Sequence, residues 1–214
     1  MINILGDIPR RVGVALSGGL DSIAIYDFLV RDGKRTVYPI YFDHGTKHGS
    51  EAYEFVVNFV DKYKSSHALQ KHVITNQRIN DAQQKNESQE EYWRRIRYSF
   101  LDDVANQYNI NIITCHHLDD VIETWIFSAL HGTPKLIPFK RNRVIRPFLT
   151  TKKEDLRSWC ERHDLGWIED PSNKNKRFMR NFIRSELMPK ARHINPGIQK
   201  TIKKKVIKEF KNQK

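Results

Sequence analysis

The sequence predicts an α/β fold in which helices cover both faces of a doubly wound parallel sheet. Short β-branched runs alternate with segments of helical apolar spacing through residues 1–134, and this alternation is typical of parallel sheets. Hydrophobic residues make up 39% of the 214 residues, enough for a sizeable core, while no apolar run approaches the roughly 18 residues of a membrane span. Only two cysteines occur, Cys115 and Cys160, so neither a disulfide framework nor a Cys-x-x-Cys site is available. We therefore expect a soluble, cytoplasmic protein that does not bind membranes.

The first part of the chain contains four strand candidates, and each is followed by a helical pattern. The first strand ends in Ser17-Gly18-Gly19, and the helix after it stops near Gly33. Acidic Glu90 and Glu91 near the start of the third helix suit the positive end of its dipole. The predicted strands are residues 12–16, 36–42, 68–74 and 110–115, and the predicted helices are residues 20–32, 50–63, 88–108 and 118–130.

The regular alternation of strand and helix patterns ends after Pro134. A short apolar run at 144–149 precedes predicted helices at 152–164, 178–187 and 198–210, and Pro196-Gly197 separates the last two. We expect a catalytic domain over residues 1–188, with a basic part from 135 to 188, followed by a basic helical tail over residues 189–214.

The positive charge is concentrated in the second part of the chain. The whole sequence has 37 Lys+Arg and 25 Asp+Glu, a net charge of +12. Residues 1–134 hold 14 basic and 17 acidic residues, a net of −3, so residues 135–214 carry 23 and 8, a net of +15. A segregated basic segment predicts contact with a polyanion such as nucleic acid. The alternative is a lysine-rich surface that only maintains solubility.

The loop Ser17-Gly18-Gly19-Leu20-Asp21-Ser22 is the first candidate for chemistry, since ligands of open α/β sheets bind beyond the carboxyl ends of the strands. Its glycines, hydroxyls and the N–H groups of the following helix can hold phosphate oxygens, and Asp21 can hold Mg²⁺. No Gly-x-x-x-x-Gly-Lys-[Ser/Thr] sequence occurs. The alternative is an ordinary tight turn.

A second cluster, His116-His117-Leu118-Asp119-Asp120-Val121-Ile122-Glu123, follows the fourth strand. Asp120 and Glu123 share a helix face, and Asp43-His44 after the second strand would lie at the same sheet edge. These groups suit either metal binding or recognition of a nucleotide and substrate, whereas helix capping would explain one acid alone. On the preceding helix, Arg94 and Arg97 lie on one side and suit phosphates, or are simply solvated.

Taken in order, these segments resemble the tRNA(Ile)-lysidine synthetase family of PP-loop ATP pyrophosphatases, whose fold is Rossmann-like. The resemblance extends from about Val12 to Pro196. It rests on Ser17–Ser22, Tyr41-Phe42-Asp43-His44-Gly45, Glu90-Glu91-Tyr92-Trp93-Arg94-Arg95-Ile96-Arg97-Tyr98, His116–Glu123, Arg146-Pro147-Phe148-Leu149, Trp167 to Asn173, and Arg180-Asn181-Phe182-Ile183-Arg184.

The resemblance implies a ligase reaction in two steps. The C2 oxygen of the wobble cytidine in a CAU-anticodon tRNA(Ile) attacks the α-phosphate of ATP and expels pyrophosphate. The ε-amine of free L-lysine then displaces AMP at C2 and gives lysidine. ATP is thus a co-substrate, and Mg²⁺ is the expected metal.

The resemblance also implies a role for each matching residue. Catalytic roles fall to Asp21, Arg94, His116 and Asp120, with Asp21 also holding the metal, and Glu123 is expected to bind lysine. ATP is expected at Ser17, Gly18, Gly19, Leu20, Asp21, Ser22, Asp43 and His44. The tRNA is expected at Arg97, Arg146, Asp170, Asn173, Arg180, Asn181 and Arg184.

The sequence departs from the family in one respect, and it leaves three other functions open. Members commonly have C-terminal domains that help to grip the tRNA, so we expect a short form in which residues 198–214 replace them, the substrate differs, or a partner aids recognition. The other functions are another PP-loop tRNA modification such as thiolation, a metal-dependent phosphohydrolase with Asp43, His44, His116, His117 and Asp120 as ligands, and a non-catalytic RNA-binding module. The oligomeric state is open, and a homodimer is one option.

Overall fold

The computed structural model describes residues 1–63, 72–76, 81–169 and 179–212. Among these, the strands are β1 (Arg11–Ala15), β2 (Thr36–Tyr41), β3 (Ile74–Thr75), β4 (Asn111–Ile113), β5 (Lys140–Arg141) and β6 (Val144–Ile145). The helices are α1 (Leu20–Arg31), α2 (Lys47–Asp61), α3 (Gln89–Gln107), α4 (Leu118–Leu130), α5 (Lys153–Arg162), α6 (Met179–Phe182), α7 (Met188–Ile194) and α8 (Ile198–Asn212), and a π-helical turn at Ile183–Leu187 joins α6 to α7.

The strands form one sheet in the order β3-β2-β1-β4-β6-β5. Strands β1 to β4 and β6 pair in parallel, while β5 pairs antiparallel with β6 at the edge. The α/β fold class is confirmed, and the sheet is wider than the four predicted strands. Strand order reverses between β1 and β4, so a crevice opens beyond the carboxyl ends of these two strands.

Local sequence explains where most helices begin. The Ser88 side chain accepts a hydrogen bond from Glu91 N, and the Glu91 side chain reciprocates, so α3 starts with a capping box. Helix α2 begins three residues earlier than predicted, because the Thr46 side chain caps it by accepting from Gly49 N. Residues 68–71 of the predicted third strand lie outside the described residues, and a strand is present at Ile74–Thr75.

The predicted helix at 178–187 was wrong at its carboxyl end. The chain continues through the π-helical turn into α7, which ends at Ile194. Pro189 lies in the first turn of α7, where its missing N–H has no intrahelical partner to lose, so it does not interrupt the helix.

Two apolar cores support the crevice. One packs α1 and α5 against the sheet, and there the buried carboxylate of Asp27 accepts hydrogen bonds from Arg31, the Tyr63 hydroxyl and, at 2.8 Å, the Trp159 indole. In the other, Ile198 and Ile202 of α8 pack beside α4. The basic last helix is therefore held against the helix that starts at the crevice. No helix in the described part of the chain combines the length and apolarity needed to cross a membrane.

Candidate active site

The Ser17–Ser22 loop and the start of α4 meet around a cavity of about 230 Å³ at the carboxyl ends of β1, β2 and β4. We call this the first cavity. Apolar side chains, including Ile40, Phe42 and Leu101, form one part of its lining. Its polar lining contains Ser17, Gly19, Asp21, Ser22, His44, Arg97, His116 and Asp120, so the structure brings together most of the residues predicted to act on ATP.

The Ser17–Ser22 loop is braced internally. The Ser22 hydroxyl donates to Gly19 O at 2.9 Å, accepts from Ser17 N at 3.2 Å and lies 3.2 Å from the Ser17 hydroxyl. The N-cap of α1 is Gly19, and no side chain in the described part of the chain caps this helix. The N–H groups of the first turn of α1 are therefore available to an anion, and the helix dipole favours one there.

Gly18 turns the loop with a backbone φ of +82°, a conformation that side chains with a Cβ rarely adopt. A Cβ at this position would also lie 2.9 Å from Ile168 Cδ1. The Gly18 carbonyl accepts from Ile168 N at 3.0 Å, which joins the loop to the segment before residue 170. The positive φ thus favours glycine here, and any Cβ would also have to displace the Ile168 side chain.

A cluster of charges lies where the loop meets α4. His117 Nε2 is 3.4 Å from carboxylate oxygens of both Asp21 and Asp120. Burial disfavours the charged imidazole, but Asp120, Asp21 and Asp119 outweigh it and raise the pKa of His117 to about 9. Burial also opposes ionisation of Asp21 and Asp120, yet their cationic neighbours, with His117 foremost, hold each pKa below its usual value. At neutral pH, two carboxylates therefore flank one imidazolium.

Asp21 has the chemistry expected of a magnesium ligand. Its Oδ1 is buried and has no hydrogen-bond partner among the described residues, while Oδ2 faces His117 and lies 3.9 Å from Lys153 Nζ. An orphaned carboxylate oxygen beside a phosphate-sized loop suits a hard cation. Within the residues that the structure describes, no group of three or more His, Cys, Asp or Glu side chains is arranged to hold a metal. The ligand set of a protein-only metal centre is thus not assembled there.

His116 faces the first cavity in a different state from His117. Its Nδ1 lies 3.0 Å from the Thr114 hydroxyl, and burial, with Arg146 and Arg97 nearby, lowers its pKa to about 3 although Asp120 opposes this. Cys115 also lines this cavity, and burial raises the pKa of its thiol. The two adjacent histidines therefore differ at neutral pH, His116 being neutral and His117 charged.

A second cavity of about 490 Å³ lies on the other side of the Ser17–Ser22 loop, and Ser17, Gly19 and Asp21 line both cavities. Lys153 and Arg157 of α5 and Arg184 bring three cations to the second cavity. We did not predict Lys153 or Arg157 from the sequence. The sequence feature that could have indicated Lys153 is its position shortly after the Arg146-Pro147-Phe148-Leu149 motif.

Glu123, predicted to bind lysine, is 4% exposed and paired with a residue predicted to bind tRNA. Arg184 donates to its two carboxylate oxygens at 2.7 and 3.0 Å and lies 3.5 Å from Asp120 Oδ1. Burial nevertheless keeps the pKa of Glu123 above its usual value. Arg184 therefore compensates the charge of a buried carboxylate beside the cluster of Asp21, His117 and Asp120.

Arg94 and Arg97 face different surfaces of α3. Arg97, predicted to bind tRNA, lines the first cavity, whereas Arg94, predicted to be catalytic, lines a third cavity of about 320 Å³ together with Glu123, Phe127 and Arg180. The two arginines therefore face different cavities, and their predicted roles remain predictions.

The remaining predicted residues are dispersed. Leu20 lines the second cavity and His44 lines both, but the Asp43 carboxylate accepts from Gly45 N at 2.8 Å and shapes its own turn. Arg180 is exposed and lies 3.2 Å from Glu90, and Asn181 is half-buried beside it. Asp170 and Asn173 lie outside the described residues.

Arg146 was predicted to contact tRNA, but it is only 2% exposed. Its guanidinium donates to Pro138 O at 2.9 Å and to the Tyr98 hydroxyl at 3.0 Å. The guanidinium is therefore directed into the protein in this structure, and contact of Arg146 with tRNA remains a prediction. Tyr98, which the sequence did not single out, lines the first cavity.

Known proteins resemble this chain over the part that contains the candidate site. The sequence model of the PP-loop domain family matches residues 3–191. The chain is 28% identical over 204 residues to a tRNA(Ile)-lysidine synthase of Thermosipho africanus, and this match covers 90% of this chain and 46% of that protein. It is 30% identical over 196 residues to a tRNA(Ile)-lysidine synthase of Staphylococcus aureus, and this match covers 85% of this chain and 44% of that protein. The chain thus spans about half the length of the curated relatives that it matches. A U34-tRNA thiolase of Methanococcus maripaludis with its [4Fe-4S] cluster has a similar fold, with a TM-score of 0.72 at 15% identity, over 97% of this chain and 72% of that one.

Proposed function

Because this chain belongs to the PP-loop domain family, we propose that it is an ATP-dependent tRNA-modifying enzyme that joins lysine to the wobble cytidine of a CAU-anticodon tRNA(Ile). One observation carries the proposal: the Ser17–Ser22 loop lines the first cavity together with His116 and Asp120, which are far from it in sequence. The names of its relatives support tRNA as the substrate.

The two cavities suit the two parts of ATP. The first cavity offers Ile40, Phe42 and Leu101 to an adenosine, and the Ser17–Ser22 loop between the cavities offers N–H groups and hydroxyls to phosphates. Lys153 and Arg157 in the second cavity then provide positive charge for the departing pyrophosphate. In this arrangement the α-phosphate lies near Arg97, His116 and Asp120.

Asp21 would hold magnesium through its unpaired Oδ1, and the bound cation would neutralise negative charge that develops on the pyrophosphate. The imidazolium of His117, 3.4 Å from both Asp21 and Asp120, keeps the two carboxylates oriented and ionised. Its role is therefore positional: it allows two acids to remain charged side by side.

The lysine step needs an acidic group for an incoming ammonium, and Glu123 is our candidate. The step forms the bond between lysine Nε and C2 of the cytidine, breaks the bond from C2 to the AMP oxygen and releases the amine proton. Arg184 already donates to both oxygens of Glu123. A lysine ammonium at Glu123 would therefore share or displace Arg184, which couples lysine binding to the turn that carries this arginine.

The last helix is our candidate for the main contact with the RNA backbone. Helix α8 buries Ile198, Ile202 and Val206 and exposes Lys204, Lys205 and Lys208 on its other side. Exposed lysines on a helix that packs beside α4 would bring phosphates close to the crevice.

The decisive experiment incubates the chain with Mg²⁺·ATP, labelled L-lysine and a CAU-anticodon tRNA(Ile) transcript. We expect ATP-dependent incorporation of label into the RNA, with release of AMP and pyrophosphate, and loss of incorporation in Asp21→Asn. A transcript with a GAU anticodon is the matched RNA control. Absence of incorporation by folded protein that binds both ATP and the transcript would refute the lysine assignment.

The other functions predict different results. Thiolation would require a reactive cysteine, but burial raises the pKa of Cys115 and raises that of Cys160 to about 12, so both thiols are poor nucleophiles. A phosphohydrolase would release phosphate without RNA or lysine. An RNA-binding module would retain all its function in Asp21→Asn.

A further inference from the structure

Tyr98 lies among guanidinium groups at the wall of the first cavity. The guanidinium carbons of Arg94, Arg97 and Arg141 lie 5.0, 5.9 and 6.0 Å from the centre of its ring. Its hydroxyl accepts from Arg146 at 3.0 Å. Three guanidinium groups thus lie near the Tyr98 ring, and a fourth donates to its hydroxyl. Cation–π contacts of this kind orient the arginines.

The Arg146 end of this arrangement is rigid. Arg146 follows β6, is 2% exposed, and is tied to the segment before β5 by its backbone N–H, which donates to Phe139 O at 2.8 Å, and by its guanidinium, which donates to Pro138 O. Burying a cation costs free energy of desolvation, so the guanidinium needs specific hydrogen-bond acceptors. The Pro138 carbonyl and the Tyr98 hydroxyl are such acceptors, and the Tyr98 hydroxyl is the one supplied by a side chain.

The Arg97 end faces the ligand space. Arg97 lines the first cavity beside Asp21, His116 and Asp120, yet no hydrogen bond or salt bridge joins it to another residue in the described part of the chain. Burial lowers the pKa of Arg97, and Arg94 and Arg180 lower it further. A guanidinium in this environment can bind an anion. Among the residues that the structure describes, its contact with the Tyr98 ring holds its direction.

We propose that Arg146 and Tyr98 are positioning residues: together they form a buried brace that holds the Arg97 guanidinium in the first cavity, toward the phosphate chain of ATP. This inference rests on the proposed ATP site. It assigns Arg146 a role inside the protein, and it assigns Arg97 to the nucleotide. The pKa of Tyr98 agrees with this geometry, because Arg146, Arg94 and Arg97 lower it in spite of burial, which would raise it.

A double-mutant cycle on Mg²⁺·ATP affinity, measured by calorimetry on the full chain, tests the brace. We expect Arg97→Ala to weaken binding roughly tenfold, as loss of a charge-assisted phosphate contact does. Tyr98→Phe keeps the ring but removes the acceptor of Arg146, and should weaken binding about fivefold, the effect of one hydrogen bond. In the Arg97→Ala background, Tyr98→Phe should have no further effect on affinity, because it acts through Arg97.

Tyr38→Phe is the matched control. The Tyr38 hydroxyl accepts from Arg11 at 2.8 Å, and Arg11 lies 5.7 Å from its ring centre, but Tyr38 is not part of the first-cavity lining. It should alter stability and leave ATP affinity unchanged. Equal losses for Tyr98→Phe in both backgrounds, or no loss in either, would overturn the brace alone, whereas failure of the unmodified chain to bind ATP would overturn the proposed function.

Discussion

Replacing Arg184 by methionine should destabilise the protein in a strongly pH-dependent manner. The substitution keeps much of the side-chain length but leaves the Glu123 carboxylate, which is 4% exposed, without the two hydrogen bonds that it accepts from Arg184. Breaking a buried ion pair by removing one partner commonly costs about 3–5 kcal/mol. Because the Arg184 side chain is 40% exposed, water reaches the pair and the cost should lie at the lower end.

Protonation of Glu123 sets an upper limit on the electrostatic part of this cost. A glutamate with an ordinary pKa of 4.5 can be neutralised at pH 7 for about 3.4 kcal/mol and at pH 5 for about 0.7 kcal/mol. Without Arg184, the pKa of the Glu123 carboxyl in the folded state rises further. The unpaired carboxylate therefore does not destabilise the protein at low pH, where it is protonated in both states. Its cost grows as pH rises from the pKa of the unfolded state toward the pKa of the folded state. We expect a loss of about 2–3 kcal/mol at pH 7 and under about 1 kcal/mol at pH 5.

Urea unfolding followed by tryptophan fluorescence at both pH values measures this difference. Arg180→Met is the matched control, since Arg180 also pairs with a glutamate in this region. Its Nε lies 3.2 Å from Glu90 Oε1, but the Glu90 side chain is 51% exposed. Its cost should stay below about 1 kcal/mol at either pH. The double variant Glu123→Gln/Arg184→Met should recover most of the loss at pH 7. A pH-independent loss in Arg184→Met would refute the view that an unpaired Glu123 charge causes it.

Three further predictions follow from the site. Gly18→Ala should weaken ATP binding at least about tenfold, because a Cβ there is strained and would crowd Ile168, and calorimetry measures this. Burial lowers the pKa of His116 to about 3 in the folded state, against 6.5 in the unfolded state, so the free energy of unfolding decreases as pH falls below 6.5. Urea titrations at pH 7 and 5.5 should show that the wild type loses about 1 kcal/mol more of this free energy than His116→Asn. Replacing Lys204, Lys205 and Lys208 by glutamine should weaken tRNA binding and reduce its salt dependence by about one unit of slope per phosphate contact, as filter binding across a salt series would show.

Each of these predictions has a control or a contradicting result. Gly33→Ala shares the positive φ of Gly18, at +66°, but has open space around it, so it should not affect ATP affinity. If His116→Asn and wild type lose the same stability on acidification, His116 is not the buried neutral group inferred here. An unchanged salt slope in the lysine variant would place the RNA elsewhere.

The sequence alone determined the fold class and located the segments that we expect to carry the chemistry. Apolar spacing located β1 and the ends of α4 closely, because burial on one face of a helix or both faces of a central strand constrains every residue of the pattern. The Ser17–Ser22 loop and the His116–Glu123 segment could be assigned to one sheet edge from the sequence, because each follows a predicted strand and the carboxyl ends of parallel strands lie at the same edge.

Tertiary structure decided what the individual charged residues face. Arg94 and Arg97 are three residues apart, and helical spacing puts them on one side of α3. Packing of α3 against β2 and β4 nevertheless leaves Arg97 in the first cavity and Arg94 in the third. Arg146 is buried against Tyr98, 48 positions away in the chain. Such pairings depend on long-range packing, because the desolvation of a charge and the partner that offsets it are set by elements that meet only when the sheet has formed.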